Sequence, residues 1–355
     1  MSTTPNPAAP RLTSLSHGGG CGCKIAPGVL QKLLAASGDA LPPGLFPKLL
    51  VGTETADDAA VYQINDEQAV VATTDFFMPI VDDPHDFGRI AATNAISDIY
   101  AMGATPLMAL AIVGMPINVL PHEVIGQILA GGQSVCRDAG IPLAGGHSID
   151  SVEPIYGLVV IGLVNPKQLK RNASAQAGDL LILGKPLGVG IYSAALKKDR
   201  LPPGQYRQMV EACTRLNRPG ADLAALPAVH ALTDVTGFGL LGHTLEVARG
   251  AGLTAHIDHQ AVPFLPGVQA LADEGIVTGA SARNWASYGE GIVLPADAPA
   301  SLQALLTDPQ TAGGLLTACA PGARDEVLAI FARHGFAEAA VIGRLESGPA
   351  QVVVH

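Results

Sequence analysis

The chain has 355 residues, 48% of them hydrophobic and only 15% charged, and its 21 lysines and arginines against 31 aspartates and glutamates leave a net charge of −10. That much apolar material excludes wholesale disorder, and an acidic, charge-poor chain excludes a nucleic-acid binder, which needs clustered cations to neutralise phosphates. The longest apolar runs, residues 107–113 and 158–164, fall far short of the about 20 residues a spanning helix needs, which excludes a membrane span.

Residues 1–20 are rich in Pro, Ser, Thr and Gly, with no apolar stretch of the signal-peptide kind, and predict a mobile arm. Pro27 opens a short amphipathic helix to about residue 37, and 40–48, with three prolines, reads as a linker. A strand is expected at 69–73. Asp86 is placed to cap a helix running to about 101, with Ile90, Ala91, Ala95, Ile96 and Ile99 on one face. A strand at 106–114, a helix at 121–139 and strands at 141–144 and 155–164 follow. The polar, irregular stretch 166–177 marks the boundary between two halves. Beyond it come a strand at 180–183, helices at 191–198, 203–216 and 240–248, and a strand at 254–257. A strand at 314–318, a helix at 324–334 and strands at 340–345 and 352–354 complete two α/β halves with mixed sheets.

Five cysteines stand at 21, 23, 136, 213 and 319, an odd number with no secretion signal, which predicts a reduced cytoplasmic protein. Cys21 and Cys23 lie in His17-Gly-Gly-Gly-Cys21-Gly-Cys23-Lys24, where flanking glycines allow close backbone approach and the lysine favours the thiolate. The bland reading is an inert tail. A zinc site needs four ligands, and His17, Cys21 and Cys23 supply three at poor spacing. Cys136, Cys213 and Cys319 sit in apolar settings and read as core.

Carboxylates gather at the ends of apolar runs: Asp57-Asp58 before a strand, Asp75 ending the next, Asp98 four residues after Asn94 on one helix face, and Asp234 before a glycine turn. Single acids at such places are often caps, but several converging in a charge-poor chain suit a hard cation such as Mg²⁺, which bridges carboxylates to phosphates. Gly145-Gly146-His147-Ser148 follows a strand and suits a phosphate-cradling loop. Gly237-Phe238-Gly239-Leu240-Leu241-Gly242 formally matches a dinucleotide fingerprint, with Asp258 at a later strand end. Asp234, however, sets a carboxylate where the pyrophosphate would lie. A dinucleotide-binding protein is therefore the runner-up at that turn.

Taken in order, HGGGCGCK at 17–24, DDAAV at 57–61, TTDFFMPIVDDP at 73–84, FGRIAATNAISDIYAMG at 87–103, LAGGHSID at 143–150, TDVTGFGLLGH at 233–243, RNWASYG at 283–289 and DPQTAGGLL at 308–316 resemble the selenide, water dikinase (selenophosphate synthetase) family. The wider superfamily includes aminoimidazole ribonucleotide synthetase, which lacks the cysteine arm. The resemblance implies that ATP, selenide and water give selenophosphate, AMP and orthophosphate. It matches Cys21 to a catalytic position, Lys24 to an essential lysine that also contacts ATP, and Asp58, Asp98 and Asp234 to Mg²⁺ ligands. Thr55, Ala56, Asp57, Asp75, Asp98, Gly146, His147 and Ser148 match nucleotide-contacting positions. Ala56 departs from the polar or basic residue of many members, so only a backbone contact survives there. The implied fold is the aminoimidazole ribonucleotide synthetase-like two-domain fold, α/β then α+β, with a β-barrel dimer interface. Its divisions are an arm with a short helix at 1–50, an ATP- and Mg²⁺-binding, dimerising α/β domain at 51–166, and an α+β domain at 167–355. The implied partners are ATP, a second copy of the chain, and selenide, free or delivered on a protein thiol. The class outside catalysis is a selenium or metal carrier working through the cysteine arm, which leaves the acidic strand ends without a purpose.

Overall fold

The computed structural model describes residues 10–25, 27–37, 45–53 and 57–355. Thr55, Ala56 and most of the expected linker at 40–48 lie outside the described residues.

Strands β1 (Leu49–Val51), β2 (Ala60–Gln63), β3 (Ala69–Phe77), β4 (Thr105–Met115), β5 (Leu143–Asp150) and β6 (Ile155–Val164) form one sheet in the order β1-β2-β3-β6-β4-β5. Only the β4–β5 pair is parallel. Helix α1 (Pro27–Ser37) precedes the sheet, while α2 (Pro84–Ala101) and α3 (His122–Asp138) pack on each other, with α2 against β3 and β6. Burial alternates along the strands as a pleated sheet requires: Val71, Asp75, Leu158 and Val160 face α2 and are buried. Tyr62, Val70, Phe76, Val159 and Ile161 share the other face through their cross-strand pairing, and stay partly exposed.

The second half holds β7 (Leu180–Leu183), β8 (Val229–Asp234), β9 (Leu253–Ile257), β10 (Ile292–Val293), β11 (Leu315–Cys319), β12 (Ala340–Ser347) and β13 (Gln351–Val354). They form a mixed sheet in the order β10-β13-β9-β12-β7-β11-β8. Around it lie α4 (Val189–Lys197), α5 (Pro203–Thr214), α6 (Pro219–Ala224), α7 (Gly239–Ala251), α8 (Val268–Asp273), α9 (Gly279–Tyr288), α10 (Ala300–Leu306) and α11 (Arg324–Arg333). One apolar cluster runs from β3, β6 and α2 into Val189, Ile191, Met209 and Ala312, so the two halves share part of their core.

Three readings need correction. The cap of α2 is Asp83, whose carboxylate accepts the Asp86 N–H at 2.8 Å, because Pro84 fills the first helical position and starts the helix earlier. Asp86 lies in the first turn and pairs with Arg89 at 3.0 Å. The expected phosphate loop at 145–148 is strand: β5 runs on to Asp150, paired with β4. Gly146 makes this possible, since at φ +150 a Cβ would stand 2.0 Å from the Ala111 carbonyl oxygen. Finally, the described part of the arm, residues 10–25, is docked. Leu12 and Cys21 are buried, Thr13 and Arg11 hold Asp82, and the Gly20 N–H donates to the Met78 carbonyl at 2.9 Å. Three buried side chains, Leu12, Thr13 and Cys21, give this segment a core to serve.

Candidate active site

The carboxyl end of β3, the middle of α2 and the end of β8 converge, and the arm lies across them. β3 delivers Thr73 and Asp75, α2 delivers Asn94, Ser97 and Asp98, and β8 delivers Thr233 and Asp234. Helix α2 can enter so polar a place because it is buried from Ile90 to Ala101, and its apolar stripe already satisfies the core.

Three of the carboxylates are each oriented by a hydroxyl. Thr73 Oγ1 donates to Asp98 at 2.5 Å, Ser97 donates to Asp234, and Thr233 donates to Asp58 Oδ1 at 3.0 Å. Asn217 holds Ser97 in turn, donating to its Oγ at 2.7 Å and to the Gly313 carbonyl at 2.8 Å. Burial pushes Asp58, Asp98 and Asp234 up from the usual carboxylate range. The charge of Asp234 raises Asp58 and Asp98 further, and Ser97 pulls Asp234 partly back.

The arm brings a cation and a thiol. Lys24 Nζ stands 3.5 Å from Asp75 Oδ2 while 37% of its side chain stays exposed. Partial burial works against its charge, but the acidic neighbours, Asp75 foremost, outweigh that and hold it protonated well above the ordinary lysine range. Cys21 is buried, with its N–H donating to Thr311 Oγ1 at 3.0 Å and its thiol to Asn94 Oδ1 at 3.1 Å. Burial first, then Asp75, raise the Cys21 thiol well above the usual range. Lys24 does favour the thiolate as its position in sequence suggests, but it loses to those two effects. Cys23 is half-buried and donates to the Gly20 carbonyl at 2.8 Å. A cavity of about 340 Å³ opens here, lined by Cys23, Lys24, Thr74, Asp75, Phe77 and Ile155 among others.

The structure thus gathers Cys21, Lys24, Asp58, Asp75, Asp98 and Asp234. Asp57 accepts the Asn172 N–H at 2.7 Å. Gly146, His147 and Ser148 lie on β5, the exposed strand at one edge of the sheet. Residues 235–238 link β8 to α7, whose first turn holds Gly239 to Gly242, and the Cys21 carbonyl and the Lys24 stem pack on Gly237. The arm therefore occupies the approach that a dinucleotide would need.

Thr73, Ser97, Asn217, Thr233 and Thr311 carry the site beyond what residue chemistry singled out. Thr73, Ser97 and Thr233 are polar residues inside otherwise apolar elements, and these three and Thr311 stand within the motif words quoted above, whereas Asn217, in the loop before α6, carried no signal. Among the described residues no three His, Cys, Asp or Glu side chains form a ready metal cage. The donor chemistry still suits a hard cation. Only oxygens are offered, and Asp58 Oδ2 is buried with no hydrogen-bond partner.

Two family models match the chain, "AIR synthase related protein, N-terminal domain" over residues 56–164 and its C-terminal counterpart over 176–355. Solved structures share the fold. One, described as AaThiL complexed with AMPPCP and TMP, is 18% identical, with TM-score 0.64 and 93% of each chain covered. Another, E. coli HypE, a hydrogenase maturation protein, is 20% identical, with TM-score 0.63, 91% of this chain and 93% of its own covered. The class that fold and matches define is the AIR synthase-related proteins.

Within it, curated relatives are far closer. Selenide, water dikinase of Pseudomonas straminea is 74% identical over 98% of this chain and 97% of its own. The Burkholderia pseudomallei protein of that name is 70% identical over 98% and 97%, and that of Rhizobium meliloti 60% over 98% and 99%. The chain belongs to the selenide, water dikinase family. It is accordingly an ATP-dependent kinase that forms selenophosphate.

Proposed function

We propose that the gathered residues carry that reaction, in which ATP, selenide and water give selenophosphate, AMP and orthophosphate. The observation that carries the assignment is the docked arm, which sets the Cys21 thiol and the Lys24 ammonium beside a group of buried carboxylates. Lys24 offers positive charge to the transferring phosphoryl group, where a loose transition state asks mainly for position and charge. Cys21 orients selenide, a soft nucleophile akin to sulfur, without a bond to it, and the arm shields the site from water. Asp75 and Lys24 contact ATP, with Thr55, Ala56, Asp57, Gly146, His147 and Ser148 as further contacts implied by the family likeness.

Asp58, Asp98 and Asp234 would hold Mg²⁺, whose charge counters that of the ATP phosphates. Their raised pKa values, the oxygen-only set and the unpartnered Asp58 oxygen support this. Substrate phosphates and water would complete the coordination, as is usual for this ion. The domain division we propose is 1–50, 51–166 and 167–355. The half-exposed apolar face of the first sheet supports a homodimer built on it, in the β-barrel manner of the superfamily. Five free cysteines fit a cytoplasmic setting.

Phosphorus NMR of the enzyme with ATP, Mg²⁺ and selenide tests the reading. The expected outcome is AMP, orthophosphate and a phosphorus resonance split by bonded selenium. A carrier would bind selenium and make no AMP, and that result would sink the proposal.

A further inference from the structure

Asn94 is fully buried in the middle of α2, and none of the roles above uses it. Its carboxamide joins three parts of the chain. Oδ1 accepts the Cys21 thiol at 3.1 Å and the Ala312 N–H at 2.6 Å, while Nδ2 donates to Asp75. Turning the amide over would set its NH₂ against the Ala312 N–H and its oxygen against the Asp75 carboxylate, so the network permits one orientation.

The partner loop is itself held under constraint. Ala312 has φ +50, in the left-handed region that residues with a Cβ rarely adopt. Such strain persists only where the surroundings over-determine it, and often marks functional sites. Here Asn94 holds the Ala312 N–H, and buried Lys185 donates to its carbonyl at 2.7 Å. The preceding residue, Thr311, accepts the Cys21 N–H. Cys21 therefore meets a two-point receptor, its backbone on Thr311 and its thiol on Asn94.

We propose that Asn94 is a positioning residue for selenophosphate synthesis, registering the docked arm through the Cys21 thiol while orienting the Asp75 carboxylate that pairs with Lys24. The role rests on the function proposed above. A carboxamide is the side chain of this length that offers an acceptor and a donor together. Aspartate would face Asp75 with a second carboxylate, and leucine would leave the thiol and the Ala312 N–H without an acceptor.

Alkylation of Cys21 by iodoacetamide, mapped by mass spectrometry, reads arm docking without ATP or selenide. Cys136, Cys213 and Cys319, all buried, serve as internal controls for general loosening. Asn94→Ala is expected to speed Cys21 alkylation about tenfold, the factor for losing roughly 1.4 kcal/mol of hydrogen bonding, with the controls unchanged. The same variant should lower kcat by a similar factor and move the KM for ATP less. If Asn94→Ala does not fold, Thr311→Val removes the other half of the receptor and carries the same measurement. Cys21 alkylation that stays at the wild-type rate, or rises only in step with the controls, overturns the assignment. Wild-type enzyme that forms no selenophosphate overturns the functional reading, whereas the alkylation pattern stands or falls by itself.

Discussion

Cys21 shows how a residue's chemistry depends on what buries it. Beside a lysine in sequence it reads as an activated thiol, yet burial and Asp75 keep it protonated, and its hydrogen goes to Asn94. Cys21→Ser keeps a donor for Asn94 and loses the soft sulfur. It is expected to abolish selenophosphate formation while ATP binding, followed by equilibrium titration, stays near wild type. Full synthesis in this variant would remove Cys21 from the mechanism. The three raised carboxylates have a linked consequence. The folded chain holds protons on them that the unfolded chain releases from about pH 4 upward, so their contribution to stability falls as pH rises through the raised values. Asp234→Asn removes one buried charge. In metal-free buffer at pH 8 it should therefore raise the melting temperature, at about 2–4 °C per kcal/mol for a chain of this size or slightly less. It should also weaken Mg²⁺-dependent ATP binding. An unchanged metal titration would count against Asp234 as a ligand.

Helix α2 is the element on which the site is built, and its seat depends on close approach to α3. A Cβ on Gly88 would stand 1.9 Å from the Ile128 carbonyl oxygen, and one on Gly131 2.1 Å from that of His85. The two backbones touch, and this fixes where Asn94, Ser97 and Asp98 point. Gly88→Ala should therefore destabilise by about 1–3 kcal/mol in urea unfolding, the usual cost of overpacking. An unchanged midpoint would mean that the helices slide apart freely. The body of this element was legible in sequence because five apolar residues repeat at helical spacing, whereas its start was not, because Asp86 offers a cap three residues beyond the true one at Asp83. β5 was legible only in its first two residues, Leu143 and Ala144. Two glycines read as a loop, and the partner that turns them into strand, Ala111, is far away in sequence. Short α6, α8 and β10 carry too few residues for a period to show.

For the whole molecule, the apolar excess is spent on two sheets with their helices and on a shared core, and no helix among the described residues is long and apolar enough to cross a membrane. One surface remains underused: the first sheet's open face, with Tyr62, Phe76, Val159 and Ile161. A charge at its centre should be tolerated by a monomer and not by a dimer built on that face. Ile161→Asp is expected to halve the mass in sedimentation equilibrium while the far-UV circular dichroism is kept. A dimer that survives the change would place the interface elsewhere.

Composition, hydrophobic period and the ordered motif words determined the two α/β halves, most long elements, and which carboxylates and thiol belong together. Those signals are local, because a pleat repeats every two residues and a helix every 3.6. Only the tertiary structure decided that Cys21 is buried and protonated, that Asp57 serves the backbone at Asn172, and that 145–148 is strand. Each depends on a partner remote in the chain: Thr311 is 290 residues from Cys21, and Asp57 is 115 from Asn172. Desolvation and Coulomb terms act through space, so the electrostatics of Asp58, Asp98 and Asp234 were set when β8 came to lie beside α2.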